Sequence, residues 1–213
     1  MEPQPLILPP SVRLLLPEEV PAGESYARLR ADVARGQAAR FTTGYVLRLT
    51  EAPELKAYAE VNVHAPVLWS LVRDLTTELL PEHAALLIGP KDEKPNGCPY
   101  RDKQALLDAV EPYGEALARD AFVEFGFIWQ RSGVTNEVFV HSARWLKIWT
   151  TRPQSLEAVM RRHGIPSTES LVFLDQFPRV TDVTHHPPDM YTYDELIGRV
   201  LAAEAALPEA SAA

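Results

Sequence analysis

Cysteine occurs once in 213 residues, as Cys98. That excludes an internal disulfide and any zinc site built on cysteine pairs, and it points to a reducing compartment, the cytoplasm. No apolar run nears the roughly 20 residues that a membrane-spanning helix needs. The opening MEPQPLILPP has no positive charge ahead of its apolar residues, so it is not read as a secretory leader. Positive charge is in deficit: 21 Lys and Arg against 29 Asp and Glu give a net charge of −8. Such a chain is a poor ligand for nucleic acid or an anionic membrane, and it suits a basic partner. The recurrent chemical signatures are missing too. There is no GxGxxG, P-loop, HExxH, CxxC or GxSxG, so neither a cofactor nor a resident metal is expected.

What is present gathers in Asp120–Thr150, which holds three of the four tryptophans. Val123, Phe125, Phe127 and Trp129 recur at a spacing of two and share one face of a strand. Arg131–Asn136 supplies Ser, Gly and Asn, which turn a chain. Glu137, Phe139 and His141 then alternate against Val138 and Val140. After Ser142 and Ala143 the alternation resumes with Trp145, Lys147 and Trp149 against Leu146 and Ile148. The pattern predicts two long antiparallel strands, the second interrupted by a bulge or a tight bend.

Around that core the chain reads as alternating elements. Pro3, Pro5, Pro9, Pro10, Pro17 and Pro21 exclude long regular structure at the start, leaving Val12–Leu16 as a short edge strand. A helix is expected over Ser25–Arg40, then a hairpin of Thr42–Thr50 and Leu55–His64. Pro66 opens a helix carrying Leu68, Leu71, Val72, Leu75 and Leu79 inward. Ala84–Gly89 reads as a central strand covered on both faces, and PKDEKPNGCPY as a charged loop. A helix capped by Asp102 runs from Lys103 to Ala118, kinked at Pro112. Pro153–His163 is a helix stopped by Gly164, Leu171–Leu174 a last strand, and Tyr193–Ala206 a closing helix. Hairpins mixed with helices define the α+β class: a mixed, largely antiparallel sheet with helices packed on it. The expected division is a Pro-rich segment over 1–40, a single domain over 41–206 and a tail over 207–213.

Several groupings could carry chemistry. His185, His186 and Asp189 could join His141 or His163 around a metal, against the plainer reading of a solvated loop. Glu124 and Glu137 could face each other across two strands and share acid and base work with His141. The plainer alternative pairs a glutamate with Lys147 across the sheet. Arg179 could pair with Asp175 or Glu124 as a structural ion pair, and Cys98 reads as an incidental thiol. For contact with a partner, the charged turn at Asp92 and Glu93 stands out with Glu124 and Glu137. Trp145 and Trp149 share a face with Lys147, which suggests a partly exposed patch.

Taken together, LLIGPKDE, PYRDK, DAFVEFGFIWQ, VFVHSARWLKIWT and LVFLDQFPRVT resemble a group of bacterial proteins found as immunity partners of secreted polymorphic toxins. The resemblance spans Trp69 to Val180. It implies a cytoplasmic, non-enzymatic protein that binds and blocks a cognate toxin. The alternatives are a small enzyme with an acid/base site on Glu124, Glu137 and His141, and a small-molecule-binding accessory domain.

Overall fold

A computed structural model describes residues 5–52, 54–183 and 192–210. Its centre is a seven-stranded antiparallel sheet in the order β2-β3-β8-β7-β6-β4-β5. The strands are β2 (Gly44–Leu49), β3 (Ala57–Asn62), β4 (His83–Pro90), β5 (Asn96–Asp102), β6 (Val123–Arg131), β7 (Val134–Val140) and β8 (Trp145–Thr150). A two-stranded sheet pairs β1 (Val12–Leu14) with β9 (Arg179–Thr181). The helices are α1 (Ala27–Ala38), α2 (Ala65–Leu79), α3 (Lys103–Val110), α4 (Gly114–Arg119), α5 (Pro153–Arg162) and α6 (Tyr193–Ala205). The protein is α+β, with helices packed on an antiparallel sheet.

Strand alternation decides which residues the helices cover. Ala59, Val61, Leu146, Ile148, Val138, Val140, Phe125, Phe127, Leu86 and Ile88 lie on one face, all fully buried. They form one core with Leu68, Leu71 and Leu75 of α2, Leu106 and Leu107 of α3, Leu156 and Val159 of α5, and Leu196 and Val200 of α6. Burying Phe125 and Phe127 stabilises the fold by about 1.5–3 kcal/mol apiece. Trp69 of α2 closes over both rings at 6.2 and 6.5 Å. It fits only because position 114 is glycine: a Cβ there would meet the indole at 2.3 Å.

Polar groups fasten the helices at their ends. Carbonyls at the C-terminal turn of α2 accept from cations: Thr77 and Leu80 from Lys103 Nζ at 2.6 and 2.9 Å, and Glu78 from Arg152 at 2.8 Å. Such carbonyls lack intrahelical donors, so the cations satisfy them and oppose the helix dipole. Gly164 lies at φ +67 just past α5, as the sequence predicts for a stop. The N-terminal segment docks on α2 through Ile7, whose N–H donates to His64 Nδ1 (3.0 Å) and whose carbonyl accepts from Ala65 N–H (2.9 Å).

Three expectations give way. The charged loop after β4 is largely a strand: Asn96–Asp102 pairs with β4 through an irregular register between Ala85 and Leu87. Gly97 and Pro99 hide it from propensity, and the neighbouring ladder imposes it. β4 is an interior strand one place from the sheet edge, and Ala84–Gly89 is buried on both faces except at Leu87, which is partly exposed. The second long strand of the aromatic segment is two strands. His141–Trp145 reverses the chain, with Arg144 N–H donating to His141 O at 2.8 Å and His141 N–H to Trp145 O at 3.0 Å. Leu171–Leu174 pairs with no strand, and the pairing falls later, at β9. Pro112 does interrupt its helix, with a short 3-10 turn between α3 and α4.

At the far edge, Arg101 Nε donates to Glu204 Oε1 at 2.6 Å, with side chains only 6% and 4% exposed. This pair ties α6 to β5. Removing one partner leaves a buried uncompensated charge, which typically costs about 3–5 kcal/mol. Glu204→Gln is expected to lose stability on that scale in chemical denaturation; a loss below about 1 kcal/mol would show that the pair does not hold α6.

Candidate functional site

Among the described residues the sheet's second face has only a small apolar cluster, where Trp145 packs with Val12, Ala121, Ala143 and Leu174. Cross-strand register sets its residues in rows. One row reads Arg48, Tyr58, Trp149, Glu137, Ile128. The next reads Val46, Glu60, Lys147, Phe139, Gly126, Leu87. Tyr58, Trp149, Lys147, Glu137, Ile128 and Leu87 are partly exposed, in contrast to the sealed face behind them.

Tyr58 and Trp149 pack ring on ring at 4.2 Å. Charges pair around them. Arg48 reaches Glu60 at 2.9 Å and lies 5.9 Å from the centre of the Tyr58 ring. The Tyr58 hydroxyl donates to Glu60 at 3.0 Å. Burial, with the Glu60 carboxylate beside it, pushes that phenol up to about 12. Lys147 sits 3.5 Å from Glu137 and 5.3 Å from the Phe139 ring centre. Phe139 in turn covers Gly126, where a Cβ would meet the Val138 carbonyl at 2.4 Å and the Phe139 ring at 2.8 Å.

A second cluster lies at the other end of the face. Glu124 is nearly buried, accepts from Ser142 N–H at 3.0 Å and stands 3.4 Å from His141 Nε2. His141 Nδ1 accepts from Ala143 N–H at 3.3 Å. Both ring nitrogens therefore face protein groups. Burial holds the imidazole below the ordinary histidine value of 6.5, working against the raising influence of Glu124 and Asp175 and with the lowering one of Arg179 and Arg144. Arg144 is buried at φ +61 and donates to the carbonyls of Leu117, at 2.7 Å, and Val123. Burial pulls its guanidinium down to about 10. Trp145 donates to Asp175 at 3.0 Å and packs on Phe173 at 5.0 Å, so this end of the face is covered.

The six residues singled out for partner contact thus divide. Glu137 and Trp149 share a row of the open patch. Glu124 and Trp145 belong to the covered cluster with His141. Asp92 and Glu93 lie on the β4–β5 turn, with Asp92 75% exposed at φ +66 and 3.3 Å from Lys91. Glu124 and Glu137 are not cross-strand neighbours. Glu137 faces Ile128, four residues along β6 from Glu124, or about 13 Å. An acid/base couple of these two carboxylates is excluded, and the Glu137–Lys147 pair takes its place. Asp175 takes the Trp145 indole N–H rather than pairing with Arg179. Sequence reasoning missed Arg48, Tyr58 and Glu60. The alternation of Tyr58 and Glu60 against Ala57, Ala59 and Val61 could have flagged the last two, but only the β3–β8 pairing brings them to Trp149.

His163 Nε2 lies 2.9 Å from Asp74, and His185, His186 and Asp189 fall outside the described residues. Among the described residues no three His, Cys, Asp or Glu side chains group as metal ligands, and no helix is long and apolar enough to cross a membrane. A separate apolar hollow of about 470 Å³ lies between Ile7–Pro10, Trp69 and α4. No family model, curated protein or solved structure matches the chain.

Two outcomes follow from these environments. Cys98 is half-buried, and burial together with Glu204 pushes its thiol up to about 11 from 9.0. The thiolate fraction falls about a hundred-fold, and greater intrinsic nucleophilicity restores roughly ten-fold. Alkylation near pH 8 is expected about ten-fold slower than for an unstructured thiol; an equal rate would contradict the environment described. For His141, a folded value below the unfolded one means stability is full above the unfolded value. It declines as pH falls below about 6.5 and through the folded value. His141→Gln is expected to flatten that part of the stability–pH curve, and an unchanged slope would remove the assignment.

Proposed function

We propose that this chain is a non-enzymatic cytoplasmic binding protein that inhibits a basic protein partner, in the manner of an immunity protein blocking a cognate bacterial toxin. One observation carries the reading: the closely packed Tyr58–Trp149 ring pair, partly exposed and flanked by the Arg48–Glu60 and Glu137–Lys147 pairs. Tyr, Trp and Arg are the residues that dominate binding energy at protein interfaces, and a rim of polar groups fixes orientation. Long-range attraction comes from the net charge of −8 and from exposed acids such as Asp92 and Glu93, which lie off the patch.

The enzymatic alternative keeps only Glu124 and His141 in contact, and both nitrogens of that imidazole already face Glu124 and Ala143. The imidazole therefore has no free nitrogen to offer as a base in this arrangement. The apolar hollow beside Trp69, the concave kind of site a small ligand needs, is lined by none of the residues of this patch.

The test uses the protein encoded beside this chain's gene. A complex is expected in calorimetry, weakened by salt. Trp149→Ala is expected to weaken it at least about thirty-fold, roughly 2 kcal/mol. Asp92→Lys with Glu93→Lys is expected to slow association more than it speeds dissociation. No complex, or one indifferent to Trp149→Ala, would overturn the proposal.

A further inference from the structure

The two edges of the main sheet are treated differently. At β5 the edge is guarded. Pro99 interrupts its donors, the β4 register is irregular, and Ala210 N–H donates to the Tyr100 carbonyl at 2.9 Å. These are the means by which proteins close a sheet edge. At β2 the ladder to β3 is regular over all six residues, with no proline and no bulge.

Alternation fixes which β2 groups point outward. Thr50 N–H donates inward to Lys56 O at 2.9 Å. Tyr45 turns outward: its N–H donates to Pro166 O and its carbonyl accepts from Thr168 N–H, both at 2.9 Å, forming a parallel bridge to Ser167. Leu47 and Leu49 share the outward phase of Tyr45. Among the described residues nothing pairs with their N–H or C=O groups. The chain itself shows at Tyr45 that this edge accepts main-chain pairing from a passing segment, then leaves the next two outward positions open. Leu49 is 70% exposed beside them. Arg48, the one charge on this stretch, is held over the sheet by Glu60 and Tyr58 rather than projecting from the edge.

Resting on the reading above, we propose that the free edge of β2 receives an extended segment of the partner protein, paired main chain to main chain with Leu47 and Leu49 as an eighth strand. Only another extended backbone matches two outward N–H and C=O pairs at this repeat. The edge runs straight onto the row Arg48, Tyr58, Trp149, so one partner engages both. Side chains of the segment meet Leu49 on the helix side and Arg48 on the open side, which selects an apolar residue at the first place and an acidic one at the second. A second copy of this chain fits less well. A twofold axis at Arg48 sets two guanidinium groups opposite each other, and an axis at Leu49 sets Glu51 against Leu47.

Peptides displayed on phage and selected on the full chain provide the probe. Binders are expected to alternate apolar and acidic residues, to slow amide exchange at Leu47 and Leu49, and to bind Leu49→Pro at least about ten-fold more weakly. If Leu49→Pro does not fold, the exchange readout on the natural chain decides. Protection elsewhere, equal affinity for a folded Leu49→Pro, or no selected binder overturns the inference. Self-association of the free chain that Leu49→Pro abolishes also overturns it, by giving the edge to a second copy. A natural partner sensitive to Trp149→Ala but indifferent to Leu49→Pro sinks this inference alone and leaves the open-face reading in place.

Discussion

Cross-strand register is the constraint from which the rest of the molecule follows. Because side chains alternate, a single alignment through β3, β8, β7, β6 and β4 puts Ala59, Ile148, Val138, Phe127 and Leu86 on the helix side. A slip of one residue would carry all of them to the other face. The alignment is pinned from behind by shape. Trp69 fills the space above Phe125 and Phe127 and tolerates no side chain at Gly114. Once that face is sealed, the intervening residues have no choice of position. Tyr58, Trp149, Glu137, Lys147 and Phe139 must stand together on the other side.

That forced assembly explains why the open face is both aromatic and electrically quiet. Its charges are spent on each other, Arg48 with Glu60 and Lys147 with Glu137. Partly exposed pairs of this kind add little stability, commonly under about 1 kcal/mol. Their effect is to orient the side chains around the paired Tyr58 and Trp149 rings. The uncompensated acidity of the chain lies elsewhere. A basic partner would then be drawn in by the general field and held by aromatic contact.

Much of this fold was legible in the sequence because local pattern and tertiary demand agree. The leucines of α2, the period-two run of β6 and Gly164 after α5 each announce their element. What was hidden depends on neighbours far along the chain. β5 contains Gly97 and Pro99 and becomes a strand through β4. The reversal at His141–Trp145 uses no Gly, Pro or Asn; it is bent by Arg144 at φ +61, whose guanidinium reaches the carbonyls of Leu117 and Val123. Of the candidate site, Glu137 and Trp149 were legible from alternation. Their union with Arg48, Tyr58 and Glu60 was not, since sequence does not say that β3 lies beside β8. The same ignorance of offset made Glu124 and Glu137 look like a pair.

The central claim is that the partly exposed aromatic row is the surface that meets another protein. A footprint of amide exchange across the whole chain, free and in complex, addresses it most directly. Protection concentrated on β2, β3 and β8, with the α3–α4 region and the Asp92 turn unchanged, is the result this account requires. Protection confined to the helical side, or to the Asp92 turn alone, would contradict it.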